Sequence, residues 1–213
     1  MNRVEKRSPF KKAFLPEVKA MFTQLAPYGG FGMRLLFGNI WLFGPLLKLV
    51  MPKLSPQAGA LLKTTVAFTM QSGSDACNVM PQEAAVWANL RFIPHQGMEE
   101  SLSVIQNLAS NYDLEMEVLS ASDYTAPTDI HGEGWQYAVK ALKKTFPGLP
   151  ACPYVMTGAT DARFYQQICP NVIRFAPVVY GPEQMKGMHG LNENITVDCL
   201  PGAVDFYKNL IKG

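Results

Sequence analysis

Residues 64–93 read TTVAFTMQSGSDACNVMPQEAAVWANLRFI. Residues 64–71 are rich in β-branched and aromatic side chains. Residues 83–93 set Ala85, Trp87, Asn89 and Arg91 against Val86, Ala88, Leu90 and Phe92, the period of two expected of a strand. Between them SGSDACNVMPQE supplies the Ser, Gly, Asn and Pro of a turn-rich connection, which suits an antiparallel pair. Beyond Pro94 and Gly97, residues 98–112 place Leu102, Ile105, Leu108 and Ala109 at helical spacing, and 114–120 (LEMEVLS) alternate again. Strand, strand, helix and strand, preceded by helix, predict an antiparallel sheet with helices on one face, an α+β arrangement.

Upstream, residues up to about 63 read as irregular helix interrupted by Pro9, Pro16, Pro27, Pro45, Pro52 and Pro56. Residues 31–51, FGMRLLFGNIWLFGPLLKLVM, are about as long as a bilayer-spanning helix of roughly 20 residues. Arg34, Asn39, Pro45 and Lys48 argue against a span, since each charge at a bilayer centre costs about 3 kcal/mol. Two shorter amphipathic helices split near Gly44-Pro45 explain the same letters without that cost. A membrane contact stands as the rival reading.

Downstream of 122–129 (SDYTAPTD), a natural joint, the pattern changes. Helices are expected at 134–145, 161–168 and 197–212, the last with Leu200, Val204, Tyr207 and Ile211 on one face. Short strands are expected at 153–156 and 172–175. Alternating strands and helices predict part of a parallel α/β sheet, but two strands make a thin one, with an edge or face left uncovered.

The bulk composition narrows the function classes. A chain of 213 residues that is 48% hydrophobic and 17% charged is long enough to bury a core, as one domain or two small ones. A net charge of +2 makes no nucleic-acid surface, which needs clustered cations. Only Arg3, Lys6, Arg7, Lys11 and Lys12 form a basic run. Cys77, Cys152, Cys169 and Cys199 are scattered, with neither CxxC pairs nor the density of a disulfide scaffold, and read as reduced thiols. No cleavable signal peptide fits the start, so a cytoplasmic location is expected, with membrane association as the alternative.

Three stretches carry chemistry. One is Cys77-Asn78-Val79-Met80-Pro81 with the strand that follows it. Another is 155–165, VMTGATDARFY, a strand running through a Gly-containing turn into a helix start with Thr160 or Asp161 available as cap. Free backbone N–H groups around Gly158 and Ala159 attract anions, and Arg163 adds a planar double donor that fits a carboxylate; the plainer reading is a capped helix with an exposed Arg. The third is 185–194, MKGMHGLNEN. There the glycines flanking His189 let its backbone approach a metal or substrate, and Glu193 is near enough in sequence to orient the imidazole; a surface loop histidine is the plainer alternative. No further His, Asp or Glu stands at metal-ligand spacing to it, and a catalytic zinc wants about three protein ligands.

Taken in order, the TGATDAR turn, the short run VIRFAP at 172–177 and the HGLNE loop before a last helix resemble the C-terminal signature of the zinc aminoacylase and carboxypeptidase family, metallopeptidase clan MH. The Asn-Val-x-Pro stretch and the strand bearing Arg91 resemble that family's lid, or dimerisation, domain, and FGNIWLFGPLL is most similar to the carboxypeptidase S branch. The resemblance implies a ferredoxin-like lid at 1–125, truncated at its N-terminus, and the C-terminal part of a parallel α/β catalytic domain at 126–213. It further implies a two-zinc hydrolase of amide or peptide bonds next to a free carboxylate. By resemblance His189 is a zinc ligand, Arg163 binds the substrate carboxylate beside Gly158, Ala159 and Thr160, and Asn78 and Arg91 reach the substrate, in many members from the partner subunit of a homodimer.

The family's His-x-Asp motif, bridging Asp, Glu-Glu pair and further Asp ligand are absent from these residues, and Met1 falls inside the first lid helix, past the usual lid histidine. The expectation is therefore an enzyme part inactive alone, without its general base and without zinc bound by this chain. A non-catalytic dimerisation or binding module is the alternative.

Overall fold

The computed structural model describes Val4, Glu5 and residues 7–213. The expectation that Met1 falls within a lid helix, and two members of the basic run, Arg3 and Lys6, lie outside the described residues. The chain divides into two compact units, Met1–Ala126 and Pro127–Gly213.

In the first unit, α1 is Pro16–Leu25, followed by a 3-10 turn at Ala26–Tyr28, α2 at Phe31–Gly38, α3 at Ile40–Leu54 and α4 at Pro56–Ala60. Prolines open several of these elements rather than breaking them. Pro16 and Pro56 stand in first helical turns, where a missing N–H costs nothing, and Ser55 caps α4 by accepting the Ala58 N–H at 3.0 Å.

The break in the long apolar segment falls at Asn39, not at Gly44-Pro45. Asn39 leaves helical geometry with φ −126° and ψ 46°. Its side-chain amide donates to the Leu35 carbonyl at 2.9 Å, and its own carbonyl accepts the N–H groups of Leu42 and Phe43 at 3.0 and 2.9 Å. One residue thus ends α2 and starts α3, which bend by 106°. Pro45 stays inside α3, on an exposed side. No single helix among the described residues is long and apolar enough to cross a membrane.

Ile40, Leu47, Met51 and Leu62 form the buried cluster, with Phe14, Phe22, Leu36, Phe37 and Phe43 packed on it. The rings of Phe22 and Phe37 stack at 4.4 Å. Beside it lies a buried polar knot. Thr64 Oγ1 bonds the Gln96 carbonyl and the Ser101 hydroxyl, both at 3.1 Å, and Ser101 donates to the same carbonyl at 2.9 Å. The knot ties the start of the sheet to α5, Met98–Ser110.

The sheet has two antiparallel strands, β1 Thr65–Ser72 and β2 Ala85–Arg91, in a register running from Thr65 opposite Arg91 to Ser72 opposite Ala85. A bulge between Phe68 and Met70 shifts the pairing by one. Along β1 burial is confined to the proximal half, and Thr69, Met70, Gln71 and Ser72 are all exposed, while Trp87 opposite Met70 is half-buried.

The expected third strand at 114–120 does not form. After α5 the chain turns at Asp113, with φ +52°, and runs on to Asp123, whose carboxylate accepts the Met98 N–H at 2.9 Å at the N-terminus of α5. Strand-type residues without a hydrogen-bonded neighbour stay unpaired chain.

The second unit holds α6 at Glu133–Thr145, α7 at Ala162–Tyr165, α8 at Pro182–Gly187, a 3-10 turn at Val197–Cys199 and α9 at Leu200–Lys212. Its centre is the pairing of α6 with α9 around buried Ala141 and Phe206. The pairing is clasped by the Tyr137 hydroxyl donating to the Leu210 carbonyl at 2.6 Å and the Asn209 amide donating to Thr145 Oγ1 at 3.0 Å.

One expectation changes here, and the faces of α9 are assigned. The runs 153–156 and 172–175 are not strands, so no parallel α/β sheet is present among the described residues; the Val172 carbonyl is taken by the Thr128 hydroxyl at 2.7 Å instead of by a ladder. On α9 the face that packs inward runs through Gly202, Phe206 and Asn209, while Leu200, Val204, Tyr207 and Ile211 face outward. The observed class is helix plus a small antiparallel sheet, α+β.

Candidate functional site

The TGATDAR turn leads into α7, which shrinks from the expected 161–168 to four residues. Asp161 stands at its N-cap without a side-chain capping bond, and Thr160 contributes its backbone carbonyl to the Arg163 N–H at 3.3 Å. One helical turn has a small dipole, so the anion attraction expected of a helix end is weak here.

What the turn does supply is cationic. Gly158, Ala159, Thr160 and Arg163 are all exposed, and the Arg163 guanidinium sits over the Phe164 ring at 4.6 Å from its centre. Arg174, from the VIRFAP run, reaches the same turn. Its Nε donates to Thr160 Oγ1 at 3.2 Å and its Nη2 to Gln166 Oε1 at 3.4 Å. Sequence reading missed Arg174 as a site residue, although a guanidinium inside an apolar run is a signal that it needs polar partners.

His189 lies in the exposed loop after α8 with φ +60°, and Asn192 takes the same left-handed conformation. Both are unusual for non-glycine residues. The loop is held by the Gly190 N–H donating to the Gly187 carbonyl at 2.8 Å and by Asn194, which donates to the Asn192 carbonyl at 2.7 Å and accepts from Gln184 at 3.2 Å. Glu193 is four residues from His189 on the same exposed loop, and no hydrogen bond joins the two side chains among the described residues.

In the first unit, Asn78 is exposed in the turn between the strands, where the Val79 N–H reaches the Ala76 carbonyl at 3.2 Å. Arg91 ends β2 opposite Thr65. The hairpin therefore separates them: about 20 Å of strand lies between Ala85, where the connection carrying Asn78 enters β2, and Arg91.

The donor set does not make a metal centre on its own. No group of three or more His, Cys, Asp or Glu that could hold a metal ion occurs among the described residues. All four cysteines are free of disulfides. Burial pushes the Cys152 thiol up from its ordinary range, which keeps it protonated and a poor ligand near neutral pH. A depression on the second unit lies along α6, between Ile130, His131, Trp135, Val139 and Lys143, and holds none of the candidate residues.

Residues 16–213 match the sequence profile of Peptidase family M20/M25/M40. The chain belongs to this family. It is 32% identical over 194 residues to the N-fatty-acyl-amino acid synthase/hydrolase PM20D1 of Xenopus tropicalis, covering 90% of this chain and 38% of that protein. To the human protein of the same name it is 31% identical, covering 92% and 39%, and to probable carboxypeptidase S-like 2 of Dictyostelium discoideum it is 27% identical, covering 100% and 40%. The chain thus spans about two fifths of the length of these relatives. No solved structure matches it. The family is one of metallopeptidase and aminoacylase-type hydrolases that are generally metal-dependent.

Proposed function

We propose that this chain is the lid, residues 1–125, and the C-terminal part of the catalytic domain, residues 126–213, of a hydrolase that cleaves an amide or peptide bond next to a free carboxylate. The substrate class is an N-acyl amino acid or a peptide C-terminus. The observation that carries the reading is an exposed turn, Gly158, Ala159 and Thr160, that is tied at Thr160 by the Arg174 guanidinium and followed by exposed Arg163. Arg163 then forks onto the substrate carboxylate, Arg174 holds the Thr160 side of the turn in place, and the small residues let the substrate backbone come close. The names of the relatives support the same substrate class, since they include a synthase/hydrolase of N-fatty-acyl amino acids and a carboxypeptidase S-like protein.

In this reading the lid is ferredoxin-like and the catalytic domain a parallel α/β sheet completed by polypeptide outside these residues, and Asn78 and Arg91 act in a homodimer. Zinc, two per complete site, binds only when donors outside this chain join His189, with Glu193 orienting its imidazole in the complete site.

The test is hydrolysis of an N-acyl amino acid and of its carboxamide by this chain alone and by the chain joined to a family N-terminal half. Alone, no turnover is expected. In the joined enzyme the carboxylate substrate is preferred, Arg163→Ala raises KM at least about tenfold, as loss of a charged hydrogen bond worth about 1.5–3 kcal/mol requires, and His189→Ala lowers zinc content. Turnover by the chain alone, or zinc content unchanged by His189→Ala, would overturn the reading. The alternative, a non-catalytic dimerisation module, predicts a stable dimer whose joined form never gains turnover.

A further inference from the structure

The helices α2 and α3 are apolar on more sides than their own core uses. Ile40, Gly44, Leu47 and Met51 form the inward stripe of α3. At 100° per residue Leu42, Leu46 and Leu49 fall on the opposite side, where Leu46 is 51% and Leu49 60% exposed; Trp41 beside them is 81% exposed, and Phe31 on α2 82%. A helix apolar all round is covered by something or sits in an apolar medium.

The charge pattern says which. From Val18 to Ser74 there is no Asp or Glu, while Lys19, Arg34, Lys48, Lys53 and Lys63 fall in that run, although the chain as a whole carries 17 acidic against 19 basic residues. Arg34 and Lys53 are exposed and Lys48 half-exposed. A second copy seated on this face across a two-fold axis would bring the same cations together, which disfavours self-pairing. An anionic lipid surface matches both halves of the pattern: acyl chains for the leucines, headgroups for the cations, and the interface itself for an indole. The geometry suits lying in that interface, because α3 is about 22 Å long against a hydrocarbon core of about 30 Å, and the bend between α2 and α3 is 106°.

We propose that α2 and α3 are a peripheral docking device that seats Trp41, Leu42, Leu46 and Leu49 in the headgroup boundary of an anionic phospholipid bilayer, with Arg34, Lys48 and Lys53 on its phosphates. The test is flotation of the full chain with vesicles of phosphatidylcholine alone and of phosphatidylcholine mixed with phosphatidylserine. The chain floats with the mixed vesicles, less so as salt is raised, and with Trp87 and Trp135 both changed to Phe the Trp41 fluorescence shifts to the blue on binding. Leu46→Gln combined with Leu49→Gln abolishes flotation, and Lys48→Gln or Lys53→Gln weakens it about fivefold each. Circular dichroism checks the folding of every variant, and the lysine changes decide the matter if the leucine pair misfolds. Absence of flotation, equal flotation with both vesicle types, or a concentration-dependent dimer that the leucine changes dissolve without any vesicle binding would each overturn the proposal, the last in favour of a second copy.

Discussion

Lys63 is a cation held where the fold disfavours it. It follows the buried pair Leu61 and Leu62, and burial first, then the nearby charge of Lys12, lower its pKa from the ordinary 10.5. A lysine with a lowered folded pKa releases its proton earlier in the folded chain than in the unfolded one, so between the two values the unfolded state binds more protons. Stability should therefore rise with pH through the window that ends near 10.5 and level off above it. Lys63→Met is expected to raise the urea midpoint at neutral pH and to remove that alkaline gain; equal gains in both proteins across a pH series of urea titrations would refute it. None of this was legible in the letters, because a lysine beside two leucines reads as a polar boundary until the core they enter is known. His189 was legible in a different way. Flanking glycines flagged a special backbone, and the observed φ of +60° falls on the histidine itself, with Gly190 closing the turn behind it.

Helices with strong apolar spacing and the β1–β2 hairpin were legible, whereas the three further strands were not, for a physical reason. The apolar spacing in 98–112 and 134–145 lies within one segment, and the observed α5 and α6 match those runs within two residues. The runs 114–120, 153–156 and 172–175 have strand composition, but a strand exists only through a partner that its own letters do not name. The position of the α2–α3 break was misread because Pro45 is the stronger signal in sequence, whereas Asn39 bonds to both helices at once. The sequence alone does not say which face of α9 packs inward, because two stripes run along it. The stripe that packs uses Gly202, where an added Cβ would lie 2.9 Å from the Phe146 ring. Replacing Gly by Ala inside a helix gains about 1 kcal/mol in propensity, whereas overpacking costs about 1–3 kcal/mol. With the ring this close the cost should win, so Gly202→Ala is expected to destabilise the second unit by about 1 kcal/mol in denaturant titration. A stabilised variant would mean that the ring swings aside freely.

On the scale of the whole molecule, apolar side chains face outward in each unit for different reasons. On α3 they are fringed by cations, and lipid suits them. On α9 the outward stripe of Leu200, Val204, Tyr207 and Ile211 has Asp205 and Lys208 within the same turns, joined to each other at 3.4 Å. A charge-balanced apolar stripe of that kind suits protein rather than an anionic surface. If the chain is part of a larger hydrolase, this stripe is where further polypeptide packs, and without it copies of the chain should pair there. Light scattering at roughly tens of micromolar, a range in which exposed apolar surface drives association, should then give a mass above the 23.5 kDa of one chain. Val204→Gln together with Ile211→Gln should lower that mass to no more than the lid-paired homodimer, while Leu46→Gln with Leu49→Gln should leave it unchanged. Because Val204 and Ile211 are exposed, at 52% and 83%, these changes remove little of the unit's own packing, so folding and association are read separately. A monomer at every concentration would show that the outward stripe needs no cover and would remove the main structural support for an incomplete catalytic domain.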